Sequence, residues 1–171
     1  HGKSGGETNA SSAVFKESFA NLGATIMGRN MFGGHPGPWD PAKPWHGWWG
    51  KNPPFHHPVF VLTHHPREPL DLEGGNTFTF VTTGIVDALE QARRAAKGKD
   101  IQLSGGANIA QQYLRAGLVD EMEINLAPTL LGSGERLFEG VGDNHHGLEL
   151  VRTVAAPKVT HLKFVRAPNR A

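Results

Sequence analysis

A pair of glycines between a predicted strand and a predicted helix is the feature of this sequence most suited to chemistry. Ile101 and Leu103 lead into Ser104, Gly105 and Gly106, and a helical pattern begins directly afterwards. Glycines at such a junction let the atoms of another molecule approach the backbone closely. The exposed amides and the positive end of the helix dipole favour a phosphate group there. Alone, a Gly-Gly pair is more simply a tight turn without a ligand, so the flanking sequence has to decide.

The elements that flank the glycine pair follow regular patterns. The helix after it has apolar residues at the i, i+4 spacing of an amphipathic helix, namely Ile109 with Tyr113 and Ala110 with Leu114. Gly117 supplies a C-terminal stop for this helix. A strand follows, in which Met122, Ile124 and Leu126 alternate with polar residues, as is typical of a half-buried strand.

The rest of the chain also alternates between strands and helices. We predict a short helix from Val14 to Leu22, strands at 24–27, 59–63 and 77–82, and a helix from Ile85 to Lys97 that Gly98 ends. Two further strands, at 148–154 and 159–165, close the sequence. This order predicts a single α/β domain over residues 1–171, a three-layer α/β/α arrangement whose central sheet is mostly parallel and whose C-terminal strands are antiparallel.

The composition excludes several classes of protein. Hydrophobic residues make up 38% and charged residues 19% of the 171-residue chain, which is typical of a globular domain. The formal net charge of +1, without a cluster of lysine and arginine, argues against nucleic-acid binding. No apolar run reaches the length of a membrane span. The absence of cysteine excludes disulfides and thiolate metal ligands.

Ten histidines raise the question of a metal site. Six of them form adjacent pairs at 56–57, 64–65 and 145–146. Neighbours in an extended chain point in opposite directions, and none of these pairs has the i, i+4 spacing of zinc-binding histidines on a helix. We therefore predict no metal site.

A long loop at residues 33–58 carries all four tryptophans. Loops of this length inside a compact domain usually have a function. Tryptophan can anchor such a loop to the core or to a second subunit, or it can stack on a flat heterocycle as part of a substrate lid. We favour anchoring and keep the lid as the alternative.

Four stretches together resemble the dihydrofolate reductase-like superfamily. They are ATIMGRNMF at 24–32, VFVLTHHP at 59–66, SGGANIAQQYLRAGLVDEMEINLAPTLLGSGERLF at 104–138, and VTHLKFV at 159–165. The third stretch is the specific one, because its glycine pair, its Gly-Leu-Val-Asp-Glu and its Leu-Gly-Ser-Gly-Glu occur in the order and at the distances of the family. The nearest branch is the C-terminal reductase domain of the bifunctional riboflavin-biosynthesis deaminase–reductase.

The resemblance implies an NADPH site built from three segments. The segment beside the cofactor's phosphates corresponds to Gly28, Arg29, Asn30 and Met31. The segment at the adenosine end corresponds to Thr63, His64 and His65. The segment under the pyrophosphate corresponds to Ser104, Gly105, Gly106, Ala107, Asn108 and Ile109. We expect Arg29 to bind the 2′-phosphate or the pyrophosphate, and one of the two histidines to face the cofactor while its neighbour points away.

The resemblance further implies a cytoplasmic, homodimeric, NADPH-dependent reductase. Hydride would pass to a small heterocyclic substrate such as 5-amino-6-(5-phosphoribosylamino)uracil, an intermediate of riboflavin biosynthesis. Three other interpretations stay open: a dihydrofolate or pterin reductase, a non-catalytic NADP-binding module, and a structural partner without a cofactor.

Two departures from the family pattern accompany the resemblance. Residues 1–13 match neither the family's first, central strand nor the loop after it, so we expect the chain to lack its natural N-terminal strand. Where dihydrofolate reductases carry a carboxylate that binds the pterin, the ungapped match is Ser12. A serine cannot form the charged pair that a pterin requires. Glu17 is the only acid on that predicted helix, and we interpret it as a solvated surface residue, which leaves the proton donor unassigned.

Overall fold

The computed structural model describes residues 8–142 and 147–167. It divides into two compact units, one containing Asn21–Gln112 and the other containing His1–Ala20 with Tyr113–Ala171. The single domain over 1–171 stays a prediction. Within the described ranges, no helix is long and apolar enough to cross a membrane.

Four α-helices and eight strands occur along the described chain, with one short 3-10 helix at Glu73–Gly75. In order they are α1 (Ala10–Ser18), β1 (Leu22–Gly28), α2 (Arg29–Phe32), β2 (Val59–Leu62), β3 (Leu70–Leu72), β4 (Asn76–Val81), α3 (Ile85–Ala96), β5 (Asp100–Leu103), α4 (Ala107–Arg115), β6 (Glu121–Leu126), β7 (Leu148–Ala156) and β8 (Val159–Arg166). The predicted strands and the two longer predicted helices all appear among them. Strand β3 had no prediction.

The unit at Asn21–Gln112 is built on a five-stranded sheet in the order β3-β4-β2-β1-β5. Strands β1, β2, β4 and β5 are parallel, and β3 pairs antiparallel with β4 at one edge. The prediction of a mostly parallel sheet is therefore confirmed. Strand β2 is buried at every position, as its uninterrupted apolar run Val59–Leu62 requires in the interior of a sheet.

The core of this unit is a cluster of six buried side chains, namely Met27, Phe32, Val59, Val61, Phe78 and Phe80. Helix α3 buries Ala88, Leu89, Ala92 and Ala96. Three small alanines, at i, i+4 and i+8, let the helix pack closely through this face, whereas Val86 on a neighbouring face is 63% exposed.

The tryptophan loop anchors to this core. Trp39, Trp45 and Trp49 pack against the cluster, whereas Trp48 is 67% exposed. The indole N–H of Trp45 donates to the carbonyl of Phe32 at 2.9 Å. The structure thus supports anchoring, the interpretation that the sequence favoured.

The other unit contains α1 and a three-stranded antiparallel sheet in the order β6-β8-β7. The C-terminal strands are antiparallel, as predicted, and they form a sheet of their own. In β6, Met122 and Ile124 are half-buried and Leu126 is 57% exposed. Residues 127–140 are exposed and contain neither helix nor strand.

Helix α1 begins and ends earlier than predicted. The side chain of Asn9 accepts from the backbone of Ser11, and Ser12 Oγ accepts from the backbone of Asn9, so a capping box starts the helix at Ala10. The predicted span Val14–Leu22 is wrong because this cap went unrecognised and because Leu22 already belongs to β1. Val14 alone is buried, while Phe15 and Phe19 are 50% and 53% exposed.

Candidate active site

The three segments predicted to hold the cofactor lie at the carboxyl ends of three neighbouring parallel strands. Gly28, the last residue of β1, is in register with Leu62 at the end of β2, and Ile26 is in register with Leu103 at the end of β5. The chain runs from β1 to β2 and β4 on one side, then returns to β5 on the other. Strand order therefore reverses between β1 and β5, and open α/β sheets bind ligands at such a switch point.

Two backbone hydrogen bonds join the end of β1 to the segment that follows β5. The amide of Gly28 donates to the carbonyl of Gly105 at 2.8 Å, and the amide of Ser104 donates to the carbonyl of Ile26 at 2.8 Å. A Cβ on Gly28 would lie 2.7 Å from Cγ1 of Ile109, so a side chain there would collide with the helix that follows the glycine pair. Gly28 and Ile109 thus hold β1 and the start of α4 together.

The glycine pair itself faces open space. A Cβ on Gly105 or Gly106 would meet no atom within 4 Å, in contrast to the crowding at Gly28. Gly105 has a φ of +91°, which side-chain-bearing residues rarely adopt. A ligand can therefore approach the backbone of both residues, and the phosphate site stays a prediction.

Helix α4 begins immediately after the glycine pair. The amides of Ile109 and Ala110 donate to the carbonyl of Gly106 at 3.1 and 3.2 Å. The amides of Ala107 and Asn108 in the first turn have no acceptor within the helix. The side-chain oxygen of Asn108 accepts from Gln112 one turn later, at 2.7 Å. The backbone of this turn, more than its side chains, is what the segment offers to an anion.

Arg29 lies against the tryptophan loop. Its guanidinium carbon is 3.0 Å from the centroid of the Trp39 ring, and its Nη2 donates to the carbonyl of His35. Its Nη1 is buried without a hydrogen-bond partner. Burial, reinforced by the neighbouring charge of Arg67, lowers the pKa of Arg29. Such an atom is suited to an anionic ligand.

A second guanidinium approaches the same ring. Arg67 lies 4.8 Å from the Trp39 centroid and donates to the carbonyl of Trp45 at 2.6 Å. Burial lowers the pKa of Arg67 as well. Within the described part of the chain, neither Arg29 nor Arg67 forms an ion pair with a carboxylate. An open pocket of about 200 Å³ is lined by Arg29 and Trp39, and Lys43 and Asp40 contribute to its wall.

The segment after β2 is joined to the tryptophan loop by a hydrogen bond from Trp39. The indole N–H of Trp39 donates to the carbonyl of His65 at 2.9 Å, and the hydroxyl of buried Thr63 accepts from the amide of His65 at 3.2 Å. His64 is exposed and His65 half-buried. Which histidine faces a cofactor stays a prediction. Asn30 and Met31, which follow Arg29 in the segment after β1, are exposed.

The sequence model of the RibD C-terminal domain matches residues 1–162. This chain belongs to the RibD C-terminal domain family. One relative, the uncharacterized protein YyaP of Bacillus subtilis, is 35% identical over 63 residues, which are 37% of this chain and 33% of YyaP. The alignment therefore spans only a third of that relative's own length.

Two solved structures share the fold of this RibD-family chain. A proposed riboflavin biosynthesis protein from Shewanella sp. PV-4 matches with a TM-score of 0.63 and 22% identity, over 97% of this chain and 84% of that one. A dihydrofolate reductase from Enterococcus faecalis, in complex with NADP(H), matches with a TM-score of 0.55 and 15% identity, over 94% and 84%. The dihydrofolate reductase-like fold implied by the resemblance is confirmed.

Ser12 and Glu17, the two residues weighed for the missing carboxylate, have other roles in this family member. Ser12 serves the capping box of α1. Glu17 pairs with Arg152 at 2.7 Å and with Lys163 at 3.5 Å. The hydrogen bond from Arg152 lowers the pKa of Glu17 and so favours its charged form. In the ranges that the structure describes, no group of three or more metal-ligating side chains occurs. His145 and His146 lie outside those ranges.

Two residues of the site were missed by the sequence reasoning. The sequence could have indicated Arg67, because this arginine follows His65 by two residues in LTHHPR. Trp39 had none beyond its place in the loop, because its contacts with Arg29 and His65 join residues 10 and 26 positions apart in the chain.

Proposed function

We propose that this chain is an NADPH-dependent reductase that transfers hydride to a small heterocyclic substrate, 5-amino-6-(5-phosphoribosylamino)uracil, in riboflavin biosynthesis. The observation that carries the proposal is the topological switch point between β1 and β5, where Gly105 and Gly106 leave their backbone open to a ligand. Membership in the RibD C-terminal domain family supports a reductase.

The residues at the switch point fit the cofactor's charged groups. The open backbone at Gly105 and Gly106, with the first turn of α4, suits the pyrophosphate. The unpartnered Nη1 of Arg29 and the guanidinium of Arg67 suit the 2′-phosphate. When bound, NADPH supplies the hydride from its nicotinamide C4. The protein's part is to hold the cofactor, orient it toward the substrate and exclude water.

Titration with NADPH and turnover assays test the proposal together. We expect saturable binding, followed by fluorescence transfer from tryptophan to nicotinamide. We also expect loss of NADPH absorbance only when the phosphoribosylaminopyrimidine is added. Consumption of NADPH with dihydrofolate instead would favour a folate reductase. Tight binding without turnover on pyrimidine, pterin or simple carbonyl compounds would favour the non-catalytic module, and the absence of binding to folded protein would contradict all three.

A further inference from the structure

One side chain, the indole of Trp39, connects two of the three segments assigned to the cofactor. Its ring carries Arg29 at 3.0 Å, and its N–H donates to the carbonyl of His65 at 2.9 Å. It also lies 4.8 Å from the guanidinium of Arg67, which follows His65. Removing this indole would therefore take one contact from each arginine at once.

The core fixes the indole from its other sides. The ring of Trp39 makes edge contacts with Phe32 at 5.9 Å and with Phe80 at 5.1 Å between centroids. Phe32 and Phe80 are buried members of the aromatic core, which makes them rigid supports. The positions of the two guanidinium groups thus follow from the packing of the core.

The charges around Trp39 are unbalanced. Two guanidinium groups lie against one ring, and none of the carboxylates in the described ranges pairs with either of them. Lys43 adds a positive charge to the adjoining pocket, whereas Asp40 is its single acid and already accepts from the amide of Ala42. Bringing like charges together out of water is unfavourable, and an anion that contacts both cations would reverse that effect.

We propose that Trp39 is a positioning residue for cofactor selectivity: it holds Arg29 and Arg67 together so that they take a phosphomonoester dianion, the 2′-phosphate of NADPH. The inference rests on the proposed function, since it requires a nicotinamide cofactor at the switch point. NADH lacks the 2′-phosphate, so the arrangement favours NADPH. Trp39 acts through the arginines and touches no reacting atom.

The test compares NADPH with NADH, and 2′-AMP with 5′-AMP, by isothermal titration calorimetry on folded variants. The parent should prefer NADPH and 2′-AMP. Trp39→Leu should weaken NADPH and 2′-AMP binding about tenfold and leave NADH binding unchanged, because it removes the cation–π contact of Arg29 and one of the two cation–π contacts of Arg67, whose other partner is Phe80. Trp39→Phe keeps an aromatic face but no N–H donor, so it should lose less. Trp48→Leu is the matched control, since Trp48 is exposed and, within the described residues, has no cation–π contact with either arginine.

The possible failures are distinguishable. A parent that binds neither nucleotide overturns the proposed function and this inference with it. A parent that binds NADPH and NADH equally keeps the cofactor cleft and overturns the selectivity role. Equal losses for both nucleotides in folded Trp39→Leu would also overturn it, because Trp39 would then support the cleft as a whole. If Trp39→Leu does not fold, the Arg67→Gln variant tests the proposal instead. We expect this variant to lose affinity for NADPH and to keep its affinity for NADH. An unchanged preference for NADPH over NADH would refute the proposal.

Discussion

Gly105 and Gly106 differ in their backbone conformation, so substitutions at the two positions can separate an effect on stability from an effect on binding. Gly105 has a φ of +91°, so Gly105→Ala should destabilise the fold by about 1–2 kcal/mol as well as weaken NADPH binding. Gly106 has no such positive φ, and a methyl group there would meet no protein atom. Gly106→Ala should therefore keep the parent's stability and weaken NADPH binding about tenfold, because the methyl group would meet the pyrophosphate.

Thermal unfolding and nucleotide titration on the same samples check this pair. Each glycine variant serves as the control for the other, since both add one methyl group to the same turn. Unchanged NADPH affinity in a stable Gly106→Ala variant would show that the ligand does not approach this backbone.

His57 gives the free energy of unfolding a dependence on pH. Its Nε2 lies 2.8 Å from the hydroxyl of Thr25, which is fully buried in β1. Burial, with smaller effects from the charges of His56 and Lys99, lowers the pKa of His57 below its usual value of 6.5. As pH falls below about 6.5, the unfolded chain binds this proton before the folded chain does. The stability that neutral His57 contributes to the folded state is therefore fully present above about pH 6.5, and it is lost as the pH falls toward the pKa of His57 in the folded chain.

Denaturant unfolding across this pH range measures the effect as a difference between variants. His57→Gln should flatten the acid side of the stability curve, because glutamine takes up no proton there. His46→Gln replaces an exposed histidine and should leave the curve as it is in the parent. Parallel curves for the parent and His57→Gln would show that His57 is not the group responsible.

At the level of elements, a buried histidine ties helix α1 to the antiparallel sheet. His161 of β8 is 2% exposed, with Nε2 at 2.7 Å from Ser11 Oγ and Nδ1 at 2.5 Å from the Asn125 side-chain oxygen. His161→Leu should destabilise the fold by about 1–3 kcal/mol, because it leaves both partners without their hydrogen bond. Ser11→Ala should be destabilising in the parent and nearly neutral in the His161→Leu background. Additive effects in that double-mutant cycle would mean that the bond contributes no stability.

The elements that the sequence predicted well are those whose residues carry the information locally. The apolar run of β2 and the four-residue spacing of α4 needed no distant partner to be recognised. Helix α1 was misplaced because its start depends on the Asn9 and Ser12 cap rather than on an apolar face. Strand β3 has three residues and pairs with one strand only, so its alternation of apolar and polar residues is too short to distinguish a strand from a loop.

At the level of the whole molecule, family motifs predicted which segments to look for at the strand ends, and packing determined how their side chains are arranged. Gly28 and the glycine pair lie at neighbouring strand ends, as the resemblance implied. The position of Arg29 could not be predicted, because it depends on Trp39, whose own place is set by aromatic packing across the loop. A motif specifies local backbone geometry, whereas a long loop has no local pattern to indicate where its side chains dock.

For the oligomeric state, the resemblance implied a homodimer. Leu130 and Leu131 are 102% and 80% exposed, and exposed apolar side chains that adjoin each other mark association surfaces. We expect a second copy of the chain to cover them, with about 1.5–3 kcal/mol for each leucine fully buried. Size-exclusion chromatography with light scattering should give a dimer for the parent and a monomer for Leu131→Glu. Val86→Glu, which alters an apolar residue that is 63% exposed on α3, is the control and should stay dimeric. A parent that is monomeric at every concentration, or a dimeric Leu131→Glu, would contradict an interface at this loop.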